Sequence, residues 1–306
     1  MHDEGDGWIA WSRDAYTEFL RGRRGKTFHV YPYGGHSGDV FIRMGTHELL
    51  SDLGIRTTAD PRRADVILWA GGYLTMWKDN LQALGDLLGR YGRVEFVVGP
   101  TMFNALCADW KPVLKAQAQK ISAVFARDPL SHECLRQAGL PACVHLGLSH
   151  DPALYLRNGP LMTANRTAGT ADHILVAMRT DIESSLPQSA GYRTLRKLLP
   201  RSLADHWGFA SRRSYARRRA KRLARSLTGD LPVVVKDIPR TCHDYFLEIV
   251  RRSKEVHTDR LHAMLVSVML GKPVFAYETL DQKLEAVYEH SLRGRPGVTV
   301  TFVKHA

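Results

Sequence analysis

Short β-branched runs alternate with amphipathic stretches along almost the whole chain. Candidate strands in the first half are Thr27–Tyr31, Asp65–Trp69, Val94–Val98, Ser122–Ala126 and Val144–Leu148. In the second half they are His173–Met178, Val233–Lys236, Glu255–His257, Val274–Tyr277 and Val298–Val303. Between them, Val40–Leu53, Leu81–Arg90, Leu130–Ala138, Asp244–Arg252 and Arg260–Leu270 carry apolar residues at helical spacing. Strand and helix in alternation predict an α/β protein, its parallel sheets covered by helices on both faces.

The pattern breaks once. After His150-Asp151-Pro152-Ala153 the chain runs through Asn158-Gly159-Pro160 and the small, polar, turn-forming stretch Thr163–Ala171. Turn-forming composition of this kind reads as a linker. The expected organisation is an N-terminal α/β domain over 1–155, a linker over 156–172 and a C-terminal α/β domain over 173–306. Two Rossmann-like domains with a central cleft result, and open α/β sheets bind ligands at the carboxyl ends of their strands.

Composition sharpens this picture in three places. With 306 residues and 44% hydrophobic content the chain can bury a full core. No apolar run approaches the roughly 20 residues that cross a bilayer. The opening Met1–Asp14 is acidic and polar rather than basic then apolar, so a cytoplasmic protein is expected. Cys107, Cys134, Cys143 and Cys242 are scattered, which suits free thiols in a reducing compartment. The net charge of +12 is local in origin. Eight of the 43 basic residues lie between Arg212 and Arg225 with no acidic residue among them, and the remainder of the chain is near balance. Interleaved aromatics, the mark of single-strand nucleic-acid platforms, are missing there, so no nucleic-acid partner is expected. Instead a basic helical segment is expected over 211–227, with Ala216, Ala220, Leu223, Ala224 and Leu227 as a narrow apolar stripe. Such a helix either docks on an anionic membrane or packs its stripe on the C-terminal domain.

Five motifs could carry chemistry. Tyr33-Gly34-Gly35-His36-Ser37-Gly38-Asp39 joins a strand to a helix; it is an anion-binding turn or a simple cap by Asp39. Gly71-Gly72 ends another strand, letting backbone or substrate pass close. Arg127-Asp128 with Ser131 follows a third strand, where Arg127 holds an anion or pairs with a carboxylate. Arg179-Thr180-Asp181-Ile182-Glu183 follows the apolar run Ile174–Ala177; Arg179 is a fork for carboxylate or phosphate, and Asp181 or Glu183 orients it or a sugar hydroxyl. His257-Thr258-Asp259-Arg260-Leu261-His262 opens an apolar helix that reaches Gly271-Lys272-Pro273-Val274. Residues two apart on a helix point about 200° from one another. Arg260 and His262 therefore serve one ligand only if the helix starts at or near Arg260. His257 and His262 lack the spacing of a helical zinc pair, and no metal is expected.

At these residues the sequence resembles the polysaccharide pyruvyl transferase family, from Gly34 to Lys283, with Arg260-Leu261-His262 and Gly-Lys-Pro-Val as its specific part. The family's first turn more often has Asn before Gly-Asp, where this chain has His-Ser. The resemblance implies a two-domain fold similar to the GT-B glycosyltransferases, phosphoenolpyruvate as donor substrate rather than cofactor, and a bacterial glycan as acceptor. It implies Arg260, Leu261, His262, Arg179, Arg127 and Lys283 as donor-binding residues. His262 is then the candidate general acid, acting on the enol carbon or the leaving phosphate, and Asp39, Asp181 or Glu183 accepts a hydroxyl proton. A lipid-linked or soluble oligosaccharide is the expected partner. The rival on the same fold is a glycosyltransferase using a nucleotide sugar, with Glu278 or Asp281 as its ribose carboxylate.

Overall fold

The computed structural model describes residues 14–32, 36–72, 74, 78–103, 110–166, 170–179, 201–238, 242–278 and 282–303. The chain divides into two compact units, one comprising Met1–Ala164 with Glu285–Pro296, the other Asn165–Leu284 with Gly297–Ala306.

Unit 1 is built on a parallel sheet of six described strands: β1 (Thr27–Val30), β2 (Arg56–Thr57), β3 (Val66–Trp69), β4 (Glu95–Thr101), β5 (Ile121–Ala126) and β6 (His145–Leu148). Their order is β2-β1-β3-β4-β5-β6. All four residues of β3 are buried, as a parallel strand covered on both faces requires. The helices are α1 (Ala15–Arg21), α2 (Ser37–Asp52), α3 (Lys78–Arg90), α4 (Trp110–Gln117), α5 (Pro129–Gln137) and α6 (Pro160–Arg166). Helix α2 presses so close to the Pro152–Leu156 turn that a Cβ on Gly45 would lie 2.0 Å from the Pro152 carbonyl oxygen.

Unit 2 carries β7 (His173–Ala177), β8 (Val233–Val235), β9 (Ser253–Thr258), β10 (Val274–Ala276) and β11 (Val300–Phe302), ordered β11-β10-β9-β7-β8 and all parallel. Its described helices are α7 (Arg201–Ser226), α8 (His243–Arg251) and α9 (Leu261–Met269), and α10 (Lys283–Ser291) starts here before continuing into the 285–296 segment of unit 1. Every residue of α9 except His262 is buried, so the helix is enclosed on all sides, as its nearly continuous apolar sequence demands. Helix α7 turns its stripe inward: Ala220 is buried against Val176, Met178 and Tyr277, with Leu223, Ala224 and Leu227 packed beside them. Of the two fates open to that stripe, packing on the C-terminal unit is the one observed.

Both sheets have the doubly wound order, with the sense of winding reversing between β1 and β3 in unit 1 and between β7 and β9 in unit 2. The chain thus holds two Rossmann-like units, the components of the GT-B architecture. Two boundaries differ from expectation. The stretch 156–172 contains helix α6, because Pro160 after Gly159 is a helix start rather than a linker signal. Residues 285–296 belong with unit 1, where Val287 and Leu292 are fully buried. Among the described residues no helix is long and apolar enough to cross a membrane.

Candidate functional site

The winding of unit 2 reverses between β7 and β9, and the residues just beyond those two strands are Met178-Arg179 and Asp259-Arg260. Thr258 stitches the strand ends together. Its Oγ1 donates to the Ala177 carbonyl at 2.8 Å and accepts from the Arg260 backbone N–H at 3.0 Å. Asp259 reaches across in the other direction, Oδ1 accepting from the Arg179 backbone N–H at 2.6 Å. Arg260 then spans to the end of β8, its Nη2 donating to Asp237 Oδ1 at 2.6 Å. Arg179 and Arg260 are both buried, at 6% and 8% exposure.

Two buried guanidinium groups need anionic company. Asp259 supplies some of it: burial pushes its carboxyl up, while Arg179, Arg260, the Arg179 N–H and Arg219 of α7 pull it back. Asp237 supplies the rest. Among the described residues, Arg179 and Arg260 bring two guanidinium groups to the carboxyl ends of these strands.

Helix α9 begins at this cluster. Arg260 is its N-cap, with extended backbone (φ −107°, ψ 122°), and Leu261 is the first helical residue. The condition for Arg260 and His262 to serve one ligand is thereby met, since Arg260 stands outside the helical rotation. Leu261 is buried and anchors the turn, whereas His262 is half-buried. The first-turn N–H groups carry the positive end of the helix dipole to the same place. His257 is engaged elsewhere: its Nδ1 meets the Tyr277 hydroxyl at 3.2 Å, its Nε2 meets Glu255 at 3.1 Å, and its ring stacks on Phe275. Lys283, also buried, heads α10 in the same unit. Glu278 receives the Leu284 backbone N–H at 3.4 Å, and Asp281 lies outside the described residues.

The described candidates of unit 1 have partners within that unit. Arg127 belongs to unit 1, where Nη1 donates to Asp151 Oδ2 at 2.9 Å with both side chains buried. Its neighbour Asp128 caps α5 by accepting from Ser131 N and Oγ, and Ser131 Oγ in turn accepts from the Phe103 N–H. Asp39 closes the start of α2, accepting from the His36 N–H at 2.8 Å. At Gly71 (φ 140°) the close approach is by backbone: a Cβ would sit 2.5 Å from the Pro100 carbonyl oxygen. Gly34, Gly35, Asp181 and Glu183 lie outside the described residues.

Sequence reasoning did not single out Asp237 or Arg219. Asp237 was signalled by its place just past a β-branched run, the same place that marked Arg179 and Arg260. Arg219 was hidden among identical neighbours, and only its angle on the helix, at the shoulder of the apolar stripe, distinguishes it.

A model of the polysaccharide pyruvyl transferase family matches residues 33–281, most of the chain. No curated protein sequence matches. Among solved structures, an uncharacterized protein from Klebsiella pneumoniae is 18% identical with a TM-score of 0.61, over 95% of this chain and 97% of that one. That likeness shows a shared fold. A UDP-GlcNAc 2-epimerase from Methanocaldococcus jannaschii is 9% identical with a TM-score of 0.44, over 90% of this chain and 88% of that one. Anabaena HepE, solved with UDP and glucose, is 12% identical with a TM-score of 0.43, over 91% of this chain and 85% of that one.

Proposed function

The chain belongs to the polysaccharide pyruvyl transferase family, and from that premise we propose that it moves a pyruvyl unit from phosphoenolpyruvate onto a sugar of an exopolysaccharide or cell-surface glycan. The observation that carries the donor is the cationic cluster of Arg179, Arg260 and the start of α9. Phosphoenolpyruvate presents a carboxylate and a phosphate, and guanidinium forks with helix N–H groups match both. No metal and no resident cofactor enter this reading.

In the reaction, a proton adds to the methylene carbon of the donor and leaves a cationic centre at the carbon bearing the phosphate. One sugar hydroxyl adds there. Phosphate then leaves with its bridging oxygen, and a second hydroxyl closes the ketal. The two hydroxyl protons end on the new methyl group and on phosphate, so the product is acceptor plus pyruvate less water. His262 is the proton donor in this scheme, either to the methylene carbon or to the departing phosphate. Asp181 and Asp39 are the carboxylates from which the base is drawn.

The acceptor is a lipid-linked or soluble oligosaccharide met in the cytoplasm. Attachment to the anionic inner leaflet would run through the outer face of α7, where Arg217, Arg218, Lys221, Arg222 and Arg225 are exposed. Because the apolar stripe is already packed inward, that attachment is electrostatic rather than insertive.

Mass spectrometry of candidate oligosaccharides incubated with enzyme and phosphoenolpyruvate tests the reading. A gain of pyruvate less water, with stoichiometric phosphate release, supports it. Nucleotide release from an activated sugar, with no use of phosphoenolpyruvate, replaces it by the glycosyltransferase rival.

A further inference from the structure

We propose that the amino-terminal edge of the unit 1 sheet is a second binding site, for an extended glycan bearing carboxylates: the anionic polymer that the proposed transfer generates. The identity of that glycan rests on the proposed function, because a ketal formed at the keto carbon leaves the pyruvyl carboxylate free on each modified sugar.

The near balance of charge outside α7 is an average over the chain and not a property of each surface. Five neighbouring strands, in the order β2-β1-β3-β4-β5, each begin at an exposed cation. Arg56 is the first residue of β2, while Arg24, Arg63, Arg93 and Lys120 stand just before β1, β3, β4 and β5. Strands in a sheet lie about 4.8 Å apart, so the row is about 19 Å long. Arg56 and Lys120 reach backbone carbonyls, those of Gly25 at 3.4 Å and Leu88 at 3.2 Å. None of the five has a carboxylate partner among the described residues, because the carboxylates of these connections are engaged with other cations: Glu95 with Arg23 and Lys26, and Asp60 with Arg62. Asp65 accepts the Thr27 backbone N–H at 2.7 Å, and counting its whole charge against the row still leaves four of the five cations in excess.

A line of stepped charges suits a chain with repeated anions better than one small ion. Four of the five are arginine, whose planar fork fits a carboxylate. The edge lacks what other polyanionic partners use. The exposed large hydrophobic residues of the described chain are Leu130, Tyr215, Val235 and Tyr245, none of them in these connections. Nothing there enters a bilayer or stacks on a base.

Polygalacturonate, with one carboxylate per sugar, and its neutral methyl ester are the probes. Calorimetry is run on wild type, on Arg24→Gln/Arg56→Gln/Arg63→Gln/Arg93→Gln, on the same four positions changed to Lys, and on Arg217→Gln/Arg218→Gln/Lys221→Gln/Arg222→Gln, which removes equal charge from α7. Each protein is checked for native circular dichroism. The proposal predicts binding of the polymer and not of the ester, weakening with salt. It predicts a loss of about tenfold or more in the Gln variant of the row, partial recovery with Lys, and little change in the α7 variant. Equal losses in the two Gln variants overturn it, since net charge alone would then attract the polymer. Equal binding of the ester overturns it too, as does a row variant that melts earlier but binds the polymer as wild type does, its cations then serving only helix ends. A row variant that keeps the polymer but releases phosphatidylserine vesicles or single-stranded DNA replaces the glycan by that partner. Phosphoenolpyruvate calorimetry on the same proteins reads the proposed function separately. Unchanged donor affinity beside a failed polymer test leaves that function intact, whereas a wild type that binds the polymer but not phosphoenolpyruvate overturns the glycan's identity as product.

Discussion

The imidazole rings of His150 and His290 stack face to face, with centroids 4.7 Å apart and planes 18° apart. His290 Nε2 donates to the Ser149 carbonyl at 3.0 Å, and His150 Nδ1 meets the Ser291 hydroxyl at 2.9 Å. Burial holds His150 down to about 3, helped by the positive charges of a protonated His290 and of Arg295; burial also lowers His290 against the pull of the Ser149 carbonyl. His150 is therefore neutral when folded at pH 5, where the unfolded chain would protonate it, and His290 is shifted in the same direction. As pH falls from 6.5 toward 3 the unfolded state gains protons that the native state refuses, so stability drops. Each ring contributes at most about 1.4 kcal/mol per pH unit. Urea titrations at pH 7 and pH 5 read this directly, and His150→Phe should flatten the dependence.

Removing the fork at the start of α9 should abolish donor binding. Arg260→Ala loses charge-assisted contacts in a buried site, on the order of 3 kcal/mol or about a hundredfold in Kd. Arg260→Lys keeps the charge without the planar fork and should recover only part of the affinity. Calorimetry with phosphoenolpyruvate distinguishes all three proteins, and equal affinities would remove Arg260 from the donor site.

His262 should separate turnover from binding. His262→Gln keeps a hydrogen-bonding side chain of similar reach but cannot deliver a proton, so kcat should fall about 10²–10⁴-fold with little change in donor affinity. A kcat within a few-fold of wild type would leave the proton donor to another residue.

Arg127 should behave as a stabilising residue. Arg127→Ala leaves Asp151 fully buried without its cation, which costs about 3–5 kcal/mol. Thermal unfolding should register that loss, while the protein that remains folded binds phosphoenolpyruvate as wild type does. Weakened donor affinity with unchanged melting would reverse the assignment.

The outer face of α7 should bind anionic vesicles and ignore neutral ones. Each exposed basic residue near such a surface is worth up to about 1 kcal/mol, and screening weakens all of them together. Co-sedimentation with phosphatidylserine vesicles should fall steeply with salt and vanish when Arg217, Arg218, Lys221 and Arg222 become Gln. Salt-independent binding to phosphatidylcholine would mean that an apolar surface does the work instead.

Much of the architecture was readable from the chain because the strands are nearly continuous apolar runs. The run Val66–Trp69 has no polar residue to confuse it, whereas β2 is Arg56–Thr57, two exposed residues with no pattern to read. The start of α9 was equally legible, since the nearly continuous apolar run from Leu261 follows directly on the polar Thr258-Asp259-Arg260. What sequence could not supply was pairing across distance. That Arg127, just past β5, meets Asp151, 24 residues on, is set by the tertiary fold and not by any local pattern. The assignment of α10 failed for the same reason: its apolar positions fit either sheet, and Ser149 and His150 decide where it goes.

That assignment has a consequence for synthesis on the ribosome. Unit 1 needs residues 285–296, which emerge only after the whole of 165–284. Until then the sheet of unit 1 lacks Val287 and Leu292, and Ser149 and His150 have no imidazole or hydroxyl to meet. Unit 2 is delayed further, because its edge strand β11 lies beyond that insertion. Domains commonly fold one after another as they are made, the N-terminal one first. Here neither unit is a contiguous piece of chain. Cutting at Ala164 would release an unfinished unit 1, and translation must pass Pro296 before unit 1, and Phe302 before unit 2, has all its parts. Closing so long a loop adds little to the equilibrium cost, which grows only logarithmically with length. The penalty is exposure in time: both halves wait, partly open, for the same late stretch of polypeptide.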